Sequence, residues 1–325
     1  MLPILNMFLR SSPSLGSWKS DLNFKVFRLA EKIVNRTFIQ RLQRNMVIIA
    51  DSGGSKIDWR ILHKDGTIGQ ANCPGFNPYY QSIDDLKKNV EEFLVPQVKG
   101  DVNKIFYYGS GVSSEKNQII IKDALGEFFP MALIEIQWDL LAAARALCGT
   151  EPGIACILGT GSNSCFYDGE KISGMVANLG WILADEGSGT YIGKRFVFDY
   201  LRKKMPDELA KQFQARFPFT REEFLEKVYQ QERPSAFLAG FTKFIFQHLK
   251  DPYCYKLIYN SFSDFYEEVV MRYDNYKNYK VHFTGSVSFY FSDILRQVAN
   301  DKGITVKNIL EGPIAGLALY HKKDL

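Results

Sequence analysis

Two short stretches combine residue types suited to holding a polyphosphate. "DSGGSK" at residues 51–56 sets an acid, two adjacent glycines and small hydroxyls behind the apolar run "MVIIA", and "GTGSNS" at 159–164 follows the apolar run Ile154–Leu158. Glycines let backbone N–H groups approach an anion without side chains in the way, and small hydroxyls add donors. Neither stretch is a Walker A loop, since no G-x-x-x-x-G-K-[ST] occurs, and neither completes G-x-G-x-x-G. One such turn alone reads most simply as a tight hairpin. Two of them, at equivalent places in a repeated unit, point to a shared anion site. Asp51 closes the first apolar run, where by position alone it reads as a turn-capping acid. Asp139 closes "ALIEIQWD" and opens "LLAAARAL", a position where an aspartate makes a good helix N-cap.

The elements around these residues follow from periodicity. "MVIIA" reads as a buried strand, and "KIDWRILHKDGTIGQANC" continues with a strand, a turn at Asp65-Gly66 and a third strand. "GIACILGTGSNSCFYDGEKISGMVANLG" repeats the plan: a strand, a glycine turn at Gly159–Gly161, a strand through Cys165–Tyr167, a turn at Asp168-Gly169 and another strand. Between the two units, "SIDDLKKNVEEFLVPQV" has helical spacing through Ile83, Leu86, Val90 and Leu94. "KIFYYGSGV" reads as a strand entering a further glycine turn, "NQIIIKDALGEFF" as a helix and "ALIEIQWD" as a strand. From Phe196 to about Arg272 the pattern is helical and rich in aromatics, with Pro234 at a boundary. "KVHFTGSV" is a last strand running into the helix "SDILRQVANDKG". The order predicts two α/β domains with a cleft between them.

Composition excludes several classes. The chain has 325 residues with 46% hydrophobic content and no window near eighteen uninterrupted apolar residues, so it does not read as a membrane-spanning protein. Residues 1–45 hold eight of the 40 Lys/Arg but two of the 36 Asp/Glu, which leaves the body with 32 against 34 and slightly acidic. That body carries no nucleic-acid footprint. For the basic leader three readings stand: a translated region ahead of a start at Met46, a surface-attached amphipathic helix, or a targeting segment. The five cysteines are scattered and contain no C-x-x-C, which predicts a reducing, cytoplasmic setting. The four histidines show no metal-binding spacing and read as surface or packing residues.

The doubled unit resembles the actin-like ATPase superfamily of sugar kinases, actin and large heat-shock chaperones. Within it, "DSGGSKIDW", "GFNPYY", "QWDLLAAARAL", "ILGTGSNS", "GWILADEGSG" and "FTGSVS" resemble the N-acetylglucosamine kinase group, often classed with BadF/BadG/BcrA/BcrD-type ATPases. The resemblance covers residues 46–325 and implies an α/β fold of two actin-like ATPase (ribonuclease H-like) domains: 46–143 plus 312–325, and 144–311 with a helical insertion.

It also implies roles. Asp51 would hold magnesium through water. Ser52, Gly53, Gly54 and Ser55 in one turn, and Gly159, Thr160 and Gly161 in the other, would cradle the phosphates of ATP, with Gly285 and Ser286 on the adenosine side. Asn77, Asn163 and Asp185 would contact the sugar, and Asp139 would take the proton from the attacking hydroxyl. The implied activity is ATP-dependent phosphorylation of an N-acetylated amino sugar, most naturally N-acetylglucosamine at its 6-hydroxyl. Its partner would be a small-molecule sugar, with no nucleic acid, and a homodimer is left open. A rival within the same superfamily is an ATPase activator that drives electron transfer in a partner enzyme. Such activators hold an iron–sulfur cluster with paired cysteines, and no convincing pair stands here. A sugar-responsive repressor would need a DNA-binding module, for which residues 1–45 are too short.

Overall fold

Met46 to Ala50 alternate between two cores without ever reaching solvent, which is why this run lacks the polar alternation of a surface strand. The computed structural model describes residues 46–54 and 56–325; the expectations for the leader 1–45 and for Ser55 lie outside the described residues. In the first sheet β1 (Met46–Ser52) pairs antiparallel with β2 (Lys56–His63), and β2 pairs antiparallel with β3 (Ile68–Pro74). On its other edge β1 pairs parallel with β4 (Val102–Gly109), which pairs parallel with β5 (Leu133–Trp138). The strand order is β3-β2-β1-β4-β5.

The crossovers are α1 (Ile83–Asn89), extended by a π turn and a 3₁₀ turn to Gln97, and α2 (Glu115–Phe128). The helix α3 (Asp139–Cys148) then leaves the sheet.

The second sheet repeats this connectivity. β6 (Gly153–Leu158), β7 (Ser162–Tyr167) and β8 (Ile172–Gly174) form the antiparallel set, and β9 (Val281–Thr284) and β10 (Val306–Leu310) continue parallel, in the order β10-β9-β6-β7-β8. The doubled unit read from the two glycine turns is therefore present. The strand β10 was not expected: its residues are half-buried at a sheet edge and include Lys307 and Asn308, so no clean alternation marks it. Between β8 and β9 lie α4 (Gly180–Leu183), α5 (Gly189–Leu201), α6 (Asp207–Arg216), α7 (Arg221–Tyr229), α8 (Pro234–Ala239), α9 (Thr242–Gln247) and α10 (Pro252–Glu268). Pro234 stands at the first position of α8, a boundary as expected. α11 (Ser286–Tyr290) and α12 (Ser292–Asp301) connect β9 to β10, and α13 (Ile314–Tyr320) follows β10.

Three apolar clusters hold these layers. One lies on the outer face of the first sheet under α1 and α2. Another lies between the second sheet and its helices, where the buried Phe213 ring meets Phe196, Tyr200, Phe241 and Phe244 edge-on and stacks on Phe224. The third joins the inner faces of both sheets through α3 and α13, with Val47, Ile49 and Tyr108 on one side, Ala155, Cys165 and Tyr167 on the other, and Leu140, Leu147 and Leu317 between. These two helices occupy matching places, each following the last strand of its sheet. Beneath α13, the side chain of His321 is held between Tyr108 (2.8 Å) and Asp324 (2.8 Å) and stacks on Phe106.

The crossing of α3 and α13 depends on a missing side chain. A Cβ on Gly316 would stand 2.4 Å from the carbonyl oxygen of Ala146, a backbone atom that cannot turn aside. Gly126 in α2 has nothing within 4 Å of the same position. Gly316→Ala should therefore lower stability by about 1–3 kcal/mol through overpacking, despite a gain in helix propensity. Gly126→Ala should raise it by up to about 1 kcal/mol. Denaturant midpoints of the two variants, moving in opposite directions, test this reading of the crossing; a stable Gly316→Ala protein would refute it.

Candidate active site

All the central parallel strands of both sheets end on one cleft, the place where open α/β sheets bind ligands. β1 delivers Asp51, Ser52 and Gly53, β4 leads to Ser110 and β5 to Asp139. From the second sheet, β9 leads to Thr284, Gly285 and Ser286, and β10 to Glu311, Gly312 and Pro313. Together these residues line a hollow of about 540 Å³. An adjoining hollow of about 370 Å³ is lined by the turn Gly159, Thr160 and Gly161 with Ser162, Asn163, Asn178, Trp181 and Asp185. Asp139 and Ile157 line both, so the two hollows meet at Asp139.

The larger hollow is rich in acid. Asp51 stands opposite Asp58 in the β1–β2 register. Burial, and after it the charges of Asp58 and Asp139, push the Asp51 carboxyl up to about 7, with Lys56 opposing. Lys56 is itself tied to Asp58 at 2.7 Å. A carboxylate held among carboxylates is a place for a cation. Among the described residues no three His, Cys, Asp or Glu side chains are grouped to enclose a metal ion. The Asp51 carboxylate would suit a hard divalent cation bound together with a phosphate ligand.

Asp139 is partly buried, and burial raises its pKa against the amides at the start of α3, Leu140 among them. Its expected alternative as helix cap needs correction. Trp138 holds the cap position, with no side-chain cap bond, and Asp139 is the first helical residue. The strand ended one residue earlier than an aspartate cap requires.

The glycine turns differ in how they are wired. In the first, the Ser52 hydroxyl is spent on the protein: it donates to the Phe76 carbonyl (3.3 Å) and accepts from Tyr107 (2.7 Å), so only its backbone faces the hollow's chemistry. In the second, α5 holds the turn from behind. The amides of Gly189 and Thr190 donate to the carbonyls of Gly159 (2.8 Å) and Thr160 (3.0 Å), while the Gly159 amide donates to the Gly161 carbonyl (3.0 Å). A turn whose carbonyls are all taken by the protein is disposed to offer amides to an anion. Across the cleft Gly285 has φ 115°, and a Cβ there would stand 2.3 Å from the Leu158 carbonyl oxygen, so only glycine joins β9 to α11 at this point. Beside it the buried Thr284 hydroxyl has no protein partner and lines the hollow, which leaves it for a ligand.

In the smaller hollow, Asn163 accepts from the Ser164 amide through Oδ1 (2.9 Å). Asn178 donates to the Ser162 carbonyl (2.7 Å) and accepts from the Gly180 amide (2.8 Å). Asp185 is buried in the left-handed region at φ 62°, and burial raises its pKa against the Ser162 amide. Trp181 supplies an apolar wall.

Asn77 stands elsewhere. It lines neither hollow, and its Oδ1 accepts from the Tyr79 amide (3.0 Å) within its own loop. Sequence reasoning passed over Asp58, Ser110, Thr284, Asn178, Trp181 and Glu311. Glu311 follows the last strand of the second unit as Asp139 follows the last strand of the first, but that strand, β10, carries no pattern by which the sequence could show the match. All five cysteines are free and buried, and no histidine lines either hollow.

Comparison with known proteins places this arrangement among sugar kinases. A solved structure from Porphyromonas gingivalis, described as a candidate N-acetylglucosamine kinase, matches 86% of this chain and 99% of its own, with 38% identity and a TM-score of 0.80. Another, from Chromobacterium violaceum and described alike, matches 85% of this chain and 99% of its own at 17% identity and a TM-score of 0.66, and so speaks for the fold alone. The N-acetyl-D-glucosamine kinase of Dictyostelium discoideum is 26% identical over 181 residues, 50% of this chain. That match spans 56% of the curated relative. No family model matches the chain.

The electrostatics of Asp51 give a stability test. Its folded carboxyl holds its proton up to about pH 7, against 3.8 as the ordinary value, so between these values the folded state binds more protons. The stability of the metal-free protein therefore falls as pH rises through that window. Asp51→Asn removes the loss: its melting temperature with chelator should exceed that of the unmodified protein at about pH 8, and the gap should narrow at about pH 5. A gap independent of pH would show that the buried charge lies elsewhere.

Proposed function

Because the chain belongs to the N-acetylglucosamine kinase family, whose members are phosphotransferases, we propose that it transfers the γ-phosphoryl group of ATP to a hydroxyl of an N-acetylated amino sugar. The acceptor we assign is N-acetylglucosamine at its 6-hydroxyl. The observation that carries this reading is the junction of the two hollows. One carries the first glycine turn, Gly285, an acid fit for magnesium and an unpartnered hydroxyl; the other carries the second glycine turn with side-chain amides, a carboxylate and a tryptophan wall; Asp139 stands where they meet.

Each part has a chemical task. Asn163 and Asp185 bind sugar hydroxyls, since an amide offers both a donor and an acceptor and a carboxylate accepts. Asn178 fixes the wall between them, and Trp181 covers an apolar face of the ring. Asp139 accepts the proton of the attacking hydroxyl as its oxygen bonds to the γ-phosphorus, and the electron pair of the broken bond leaves with the oxygen of ADP. The raised pKa of Asp139 makes it a better proton acceptor than an exposed aspartate. The amides of Gly53 and Gly159 are spent on the Lys56 and Gly161 carbonyls, so those of Gly54, Thr160 and Gly161, with the Thr284 hydroxyl, are the donors that hold phosphate oxygens in line, which is most of what phosphoryl transfer asks of a protein. Magnesium, held through Asp51, would neutralise charge on the phosphates. An electron-transfer activator would need thiols at its surface for a shared cluster, and every cysteine here is buried.

An ATP-consumption panel over N-acetylglucosamine, N-acetylmannosamine, N-acetylmuramic acid and glucosamine, with the product position read by NMR, tests substrate and regiochemistry together. No turnover on any amino sugar would sink the kinase reading. For Asp139, replacement by asparagine should not lower the melting temperature, because the amide oxygen can still accept from the amides at the start of α3 and a buried charge is removed. Single-turnover phosphorylation should slow about 10²–10⁴-fold. A rate within a few-fold of the unmodified protein would remove Asp139 from the chemistry.

A further inference from the structure

The cations that line the larger hollow are already engaged. Lys56 pairs with Asp58 at 2.7 Å, and Arg60 donates to the Trp59 carbonyl at 2.9 Å. Around them stand Asp51, Asp58, Asp139 and Glu311. The four carboxylates are at most balanced by Lys56, Arg60 and one divalent ion, so the negative charge of a nucleoside triphosphate brought here would itself be left without a cation. A further cation is needed, and the sequence motifs do not contain one.

Arg233 stands where it could serve. It precedes α8, which lies on α5 so closely that a Cβ on Gly193 would meet the Leu238 carbonyl oxygen at 2.0 Å. The Thr190 hydroxyl bridges the two segments, within 2.7 Å of the Thr160 carbonyl and 3.1 Å of the Ser235 carbonyl. The backbone of Arg233–Ser235 is thus fastened to the second glycine turn. The side chain of Arg233 reaches the first: a Cβ on Gly54 would stand 3.9 Å from its Nη2. Its backbone is fixed in the left-handed region at φ 58°, directly before Pro234. Among the arginines of the described residues, Arg233 alone has no carboxylate, carbonyl, amide or ring holding its guanidinium.

We infer that Arg233 is a phosphate-binding residue, its guanidinium joining the two glycine turns over the β- and γ-phosphates of a nucleoside triphosphate. The planar fork suits paired phosphate oxygens, and a strained, anchored backbone limits the entropy lost when it engages. Arg233 comes from the helical insertion, whereas the turn it meets belongs to the first sheet, so the contact also ties the insertion to the loaded nucleotide. This inference rests on the reading of the turns as a phosphate site, and its test separates the two.

The test is calorimetric binding of MgATP, MgADP and AMP to the full chain and to Arg233→Ala, Arg233→Gly and Arg233→Lys. Loss of a charged hydrogen-bonding partner should weaken MgATP by about ten- to a hundredfold in the Ala and Gly variants, and leave AMP within about twofold. Lysine should restore part of the loss. Glycine relaxes the left-handed backbone, so a merely structural role would be spared in that variant while a phosphate role would not. Unchanged MgATP affinity in both the Ala and Gly variants, or equal weakening of AMP, would overturn the assignment. An unmodified chain that binds MgATP in an Arg233-dependent way yet phosphorylates no amino sugar would sink the kinase reading and support the phosphate role. A chain that binds none of the three nucleotides would overturn both.

Discussion

The contact of α3 with α13 at Ala146 and Gly316 governs the rest of the molecule. Each helix follows the last strand of its own sheet, and an acid stands directly after each strand, Asp139 at the first position of α3 and Glu311 three residues ahead of α13. When two backbones approach to the limit set by a missing Cβ, the strand ends behind them must converge too. That convergence makes one cleft from two sheets. Turns on both sheets then face the same volume, and a phosphate held by one is within reach of groups on the other. The apolar cluster along the crossing, with Leu140, Leu147 and Leu317 buried, gives the contact its strength.

The cleft itself is held in an uncomfortable electrostatic state. Asp51 is buried beside Asp58 and near Asp139, and its carboxyl is pushed far above its ordinary range. Natural proteins keep such groups where a ligand relieves them. The second turn shows the complementary device: its carbonyls are pulled back by α5, leaving the cleft side to donors. Acid on one wall and donors on the other suit a metal-bound polyphosphate better than either component alone.

Much of this was legible in the sequence because it rests on local rules. Apolar runs ending in glycine turns located β1 and β6, D-G pairs located the hairpins, and the repeat itself gave the doubled architecture. The sites that stayed hidden depend on tertiary approach. Arg233 sits in a helical segment far along the chain from either turn, and nothing local marks its meeting with Gly54. The Ser52 hydroxyl looked free for phosphate, yet Tyr107 from β4 and the Phe76 carbonyl from the loop after β3 claim it. Asn77, read as a sugar contact from the resemblance, has its Oδ1 held by the Tyr79 amide of its own loop, a bond that no motif shows. β10 lacked a pattern because an edge strand of half-buried residues needs none.

The repeat is alike in its strands but not in its charges. Asp51 stands at the end of β1, whereas Ile157 and Leu158 end β6 and no acid takes the matching place. Two cradles related by such near-symmetry, if equal, would accept an elongated anion pointing either way, and half of the encounters would be unproductive. A carboxylate on one side and aliphatic carbon on the other makes the two orientations unequal in energy. Broken symmetry of this kind gives the cleft a head and a tail: the fold supplies the duplicate, and a single aspartate supplies the direction.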